Sequence, residues 1–167
     1  ILGGSDTTGI LNVAIGGCET MDALTTGKWN VAIGNSALGQ STTGCLNIAM
    51  GQGAMGFSDT TGINNIAIGN NTADALLGGS CNIALGMNAL GVSTTGIFNV
   101  ALGISALSAS VTGCYNIGIG QGAMGAVNTT GHDNVAIGQA SADALTTGNE
   151  NVAIGLNALG NSTTACY

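Results

Sequence analysis

At 167 residues the chain has the length of one domain, yet only 5% of its residues are charged, and one lysine, Lys28, stands against eight acids for a formal net charge of −7. A single cation cannot form the stripe that releases counterions from a phosphate backbone, which excludes direct DNA or RNA binding. Hydrophobic residues make up 45%, but no run approaches the ~20 apolar residues of a membrane-spanning helix, so no membrane partner is expected.

Residues 1–11 read as the back of a coil whose front is absent. From Asn12 a pentapeptide, Asn-Val-Ala-Ile-Gly, begins a series of nine copies that start at Asn12, Asn30, Asn47, Asn65, Asn82, Asn99, Asn116, Asn134 and Asn151, spaced 17 or 18 residues apart. So regular a period is the signature of a repeat architecture. A motif of five residues closed by glycine cannot sustain a helical period, and 30 glycines weigh against helix throughout. The period-2 alternation of an extended strand fits instead. One such strand cannot bury its own face, whereas stacked copies can, each pairing with the next about 4.8 Å along an axis. The sequence therefore predicts an all-β fold, a parallel β-solenoid of 17- to 18-residue coils forming one repeat domain over residues 1–167. Nine coils from Asn12 to Tyr167 give a rod of roughly 43 Å. Such a rod enters and leaves the sequence in mid-course, and is expected to be part of a longer chain or filament.

The alternation places Val13 and Ile15, with their equivalents in the other copies, on one face, which reads as the core column. The opposite face carries Ala14, Ala32, Ala49, Ala67, Ala84, Ala101, Gly118, Ala136 and Ala153, with glycine closing every copy. A face that close to bare backbone suits another chain and is predicted to be an assembly face. A flattened coil with a narrow interior is the alternative. The asparagines are expected to form a structural ladder, each amide bonding to those above and below and fixing the register.

Between the copies three connector styles alternate. One is Ser-Ala-Leu-Gly, as at Ser36 to Gly39; the second is Gln-Gly-Ala-Met-Gly, at Gln52 to Gly56 and Gln121 to Gly125; the third is Asp-Ala-Leu, at Asp22, Asp74 and Asp143. Their order suggests a three-coil super-repeat of about 52 residues. Thr-Thr-Gly closes most coils and reads as a corner, with glycine supplying a positive φ. Directly after the corners, Trp29, Leu46, Phe98, Tyr115 and Tyr167 share one position. A column of large side chains there either fills a corner or seam or stacks against carbohydrate.

No chemistry stands out. His132, the lone histidine, has Asp133 beside it but no serine or cysteine that the repeat makes special, and the pair reads as a solvated corner. The five cysteines include no Cys-x-x-Cys, and their equivalent positions fall in non-adjacent coils about 9.6 Å or more apart, beyond the ~7 Å reach of a disulfide. Intrachain bridges, zinc, cofactors and catalytic residues are therefore all expected to be absent.

The stretches Asn30 to Asn47 and Asn82 to Asn99, which read Asn-Val/Ile-Ala-Ile/Leu-Gly, then Ala-Leu, then Thr-Thr-Gly, resemble repeats of bacteriophage tail-fibre shafts. They are also similar to repeats in the heads of trimeric autotransporter adhesins. That resemblance covers nearly the whole chain and implies an elongated, surface-exposed, trimeric β-solenoid on a virion or cell that holds or performs attachment. The expected function is thus that of a structural fibre or adhesin shaft without catalysis, its partners being copies of itself and a possible cell-surface carbohydrate. A self-polymerising extracellular filament subunit is the alternative, with ice or carbohydrate binding behind it.

Overall fold

The computed structural model describes residues 8–165; Tyr167, the last member of the bulky column, lies outside the described residues. Nine three-residue strands stack into one parallel sheet: β1 Val13–Ile15, β2 Val31–Ile33, β3 Ile48–Met50, β4 Ile66–Ile68, β5 Ile83–Leu85, β6 Val100–Leu102, β7 Ile117–Ile119, β8 Val135–Ile137 and β9 Val152–Ile154. Each strand pairs in register with the next, so that Ala84 lies over Ala101 and Ala101 over Gly118. The chain is a β-solenoid of about 17 residues per coil.

The two faces of the sheet are the reverse of the sequence expectation. The alanine face points inward: Ala32, Ala49, Ala67, Ala101 and Ala136 are fully buried, Ala84 and Ala153 nearly so, and Gly118 is buried with them. Ala14, in the first strand, is half-buried. The alanine column is therefore interior to each coil and cannot be an outer assembly face. Val13, Ile15 and their equivalents stand on the outside, both half-buried in β2, β6 and β7 and at least one of the two exposed in each of the other six strands. The bulk of the core comes instead from the connector opposite the sheet, where Leu38, Met55, Leu90, Leu107 and Met124 are fully buried. Their side chains reach across the coil and leave room for little more than a methyl. Even at Gly118 an added Cβ would stand 3.1 Å from Leu107 Cγ. Valine inside would overfill the coil, while outside it keeps its extended preference and packs on its neighbours in the adjacent rungs.

This packing explains the connector styles. Leu38 is followed three residues later by buried Ser41, and Leu90 by buried Ser93; in two of the three Asp-Ala-Leu coils the sizes are exchanged, with Ala73 before Leu76 and Ala142 before Leu145, while the first coil buries Met21 before Leu24. Either order fills the same interior volume, which is the exchange cores tolerate best. Ser41 Oγ donates to Thr60 O at 2.7 Å, whereas Ser93 Oγ is buried without a partner. Ser93→Ala removes that orphaned group and is expected to stabilise the protein by about 1 kcal/mol, read as a rise in the denaturation midpoint.

Left-handed residues shape the rest of the coil. They recur in pairs separated by one residue, such as Ser36 and Leu38 or Ser105 and Leu107, and again directly before each repeat asparagine, as at Trp29 (φ 58°), Phe98 (φ 57°) and Tyr115 (φ 58°). The corner glycines do not take a positive φ, contrary to expectation. They are glycine because the coil above comes too close: a Cβ at Gly96 would lie 2.5 Å from Gly113 O and 2.9 Å from Asn99 Nδ2.

Candidate functional site

The asparagines form a continuous buried ladder. Asn99 Nδ2 donates to Asn82 Oδ1 at 3.1 Å and to Gly113 O at 2.7 Å, while Asn99 Oδ1 accepts the backbone N–H of Asn116 at 3.0 Å. The same pattern runs from Asn12 through Asn30, Asn47 and Asn65 below, and through Asn134 to Asn151 above. From Asn30 to Asn134 each amide thus ties its own rung to both neighbours and gives the corner glycine carbonyl its partner. This machinery is buried and holds the fold.

Three outer features remain. The first is the strip of valine, isoleucine, leucine and methionine side chains along the outer face of the sheet, two columns wide and free of charge over all nine strands. Exposure is highest at the two terminal strands, 58% for Ile15 and 67% for Ile154. The second is the column before each asparagine, where the left-handed backbone turns the side chain outward: Trp29, Leu46, Phe98 and Tyr115 are all about half exposed. They fill no corner. Phe98 and Tyr115 stack with ring centroids 5.0 Å apart and planes 14° from parallel.

The third feature is a pair of shallow depressions. One, of about 350 Å³, is lined by Asp74, Gly91 and Ser108 among others. Burial pushes the Asp74 carboxyl above its ordinary range, against the pull of the backbone N–H groups of Asp74 and Ala75. A raised pKa means that the folded state holds its proton to higher pH than the unfolded chain. Stability contributed by this site is therefore present in acid and lost as pH rises through the carboxylate range. Asp74→Asn is expected to raise the thermal midpoint slightly at neutral pH, a small effect because solvent screens this partly exposed group, and to lose that gain in acid.

The other depression, of about 340 Å³, is lined by Thr112, Cys114, Tyr115, Thr130, His132 and Asp133. His132 Nδ1 lies 2.8 Å from Asp133 Oδ2, and both side chains are about half exposed. Cys114 and His132 pair across adjacent coils as a parallel bridge, each standing two residues before its repeat asparagine, Asn116 and Asn134. The thiol of Cys114 donates to Thr112 O at 3.3 Å. Cys18, Cys45, Cys81 and Cys114 are all free thiols, and among the described residues no group of three or more His, Cys, Asp or Glu side chains could hold a metal. No family model, no curated protein and no solved structure matches the chain.

Proposed function

We propose that this chain is a segment of a structural fibre or adhesin shaft, a non-catalytic rod that assembles with copies of itself on an extracellular, virion or cell surface. The observation that carries the reading is the outer strip of the sheet. Val13, Ile68, Ile137 and Ile154 on this strip are each more than a third exposed, an apolar surface of the kind that marks an interaction site. Water-facing strands are normally protected by charge, and this one has none. Two straight columns also suit three parallel rods around a common axis, each copy giving one column to each neighbour. The assembly face proposed here is thus made by Val31, Ile33, Val100, Leu102 and their equivalents, with the alanine column as the interior packing beneath it.

Light scattering on the reduced chain across a range of concentrations tests the reading. A fixed mass near three times 16.1 kDa is expected. A fixed mass equal to one chain overturns self-assembly, and a mass that climbs with concentration replaces the discrete shaft with a polymerising filament.

A further inference from the structure

We infer that the bare face of Tyr115 and the His132–Asp133 pair form a binding site for a neutral pyranose sugar. Centroids 5.0 Å apart and nearly parallel planes match the spacing of the rungs themselves, so the two rings lie like plates stacked along the rod. Phe98 covers one face of Tyr115. On the other side the next member of the column is Asp133 rather than a ring, and the face of Tyr115 there opens onto the 340 Å³ depression. That volume is at the lower end of the range of small-molecule sites, about 300–1,000 Å³.

The polar groups around this plate include several acceptors. His132 Nδ1 lies 2.8 Å from Asp133 Oδ2, which leaves Asp133 Oδ1 as an acceptor and His132 Nε2 as a second polar group for a hydroxyl. Thr130 Oγ1 points its own proton at Thr146 O, which leaves its oxygen to accept. A ligand that fits must bring an apolar face for the ring and several hydroxyl donors at its edge, which is the make-up of a pyranose. Anionic ligands, a nucleic-acid backbone among them, are disfavoured by Asp133 and by Glu150, the next member of the column, in a chain of net charge −7. A guanidinium could stack on Tyr115 and meet Asp133, but it would leave the threonines and most of the depression unused.

The backbone beneath the site is tied to its neighbours on both sides. Asp133 N–H donates to Cys114 O at 3.2 Å, Glu150 N–H donates to His132 O at 3.1 Å and His132 N–H to Asn149 Oδ1 at 2.9 Å. Among the described residues no other ring in this column is followed by an acid, since Trp29 is followed by Leu46 and Phe98 by Tyr115. The inference uses the residues of a single chain and stands apart from the assembly reading.

The test is titration of the assembled protein with D-glucose, D-galactose, D-mannose and N-acetylglucosamine, followed by saturation-transfer NMR and by shifts of the Tyr115 ring signals. At least one sugar is expected to bind saturably with a millimolar Kd. Tyr115→Ala and Asp133→Asn should each weaken it about tenfold or more, and Tyr115→Phe, which keeps the plate, should stay within about threefold. Both positions are exposed, so an unchanged thermal midpoint and assembled mass accompany a specific loss. The inference is overturned if none of the four sugars saturates by about 100 mM, well above the millimolar Kd expected, if Tyr115→Ala binds as the native chain does, or if arginine amide occupies the site more tightly than any sugar.

Discussion

Asn99→Ala is expected to lower stability by about 3–5 kcal/mol, which makes it one of the two most damaging single substitutions along the rod. The loss does not come from the side chain's own packing. Removing the amide orphans two buried backbone groups at once, the N–H of Asn116 that Oδ1 accepted and the carbonyl of Gly113 that Nδ2 served, and each unsatisfied group costs about 1–3 kcal/mol. Asn82 Oδ1 retains the backbone N–H of Asn99 and is not left bare. Asn99→Asp keeps the shape but turns a donor into a buried charge facing two acceptors, and should be worse still at neutral pH, recovering in part as acid protonates it. Asn12→Ala, at the first rung and half-buried, should cost about 1 kcal/mol, because solvent replaces part of what is lost. Urea denaturation of the three variants checks the order, and an Asn99→Ala protein as stable as the native one would remove the ladder from the account of the fold.

The second large effect is expected at the glycine that closes each strand. Gly103 has φ +131°, and a Cβ built there would stand 2.7 Å from Gly120 O and 2.8 Å from Gly120 C in the next coil. Both atoms are backbone held in the sheet register, so neither can step aside cheaply. Strain in that region of φ costs about 1–3 kcal/mol by itself, and the clash adds to it. Gly103→Ala should therefore lose about 4 kcal/mol or more, or fail to fold. Gly155 separates the two contributions. Its φ of +124° is similar, but nothing lies within 4 Å of the added Cβ, so Gly155→Ala should show the strain alone, about 1–3 kcal/mol. Gly78, with open space around it and no positive φ, is the control and should accept alanine within about 0.5 kcal/mol. Equal losses at Gly103 and Gly155 would show that rung-to-rung proximity contributes nothing.

Repeat period, strand positions and parallel stacking were all legible in the pentapeptide, because a 17- to 18-residue recurrence of an alternating segment has few other physical solutions. Which face turned inward was not. Assigning Val100 and Leu102 to the core and Ala101 to the surface follows the usual rule that bulk is buried, and it fails because Leu107, arriving from the far side of the coil, already fills the space. The signal was present in the sequence: a column that tolerates only alanine and glycine describes a tight interior, and the exchange of leucine with serine or alanine three residues apart, as in Leu90 and Ser93 against Ala73 and Leu76, describes a volume being conserved. The depression at Tyr115 was hidden for a different reason. The repeat aligns Cys114 with His132 and Tyr115 with Asp133, each pair at a fixed offset before Asn116 and Asn134, but a periodic pattern carries no information on the open space that their side chains enclose.

One consequence follows from the left-handed residue that precedes every asparagine. Most positions in a coil are dictated by the closeness of the next coil, but here the backbone points the side chain away from everything the fold needs. The nine occupants, Leu11, Trp29, Leu46, Asn64, Cys81, Phe98, Tyr115, Asp133 and Glu150, accordingly span almost the whole chemical alphabet, although each except asparagine and aspartate pays about 1–2 kcal/mol for the conformation. The rod thus behaves as a ruler with one interchangeable mark per rung, about 4.8 Å apart. Its surface chemistry can be rewritten mark by mark, by evolution or by design, while the coils beneath remain as they are.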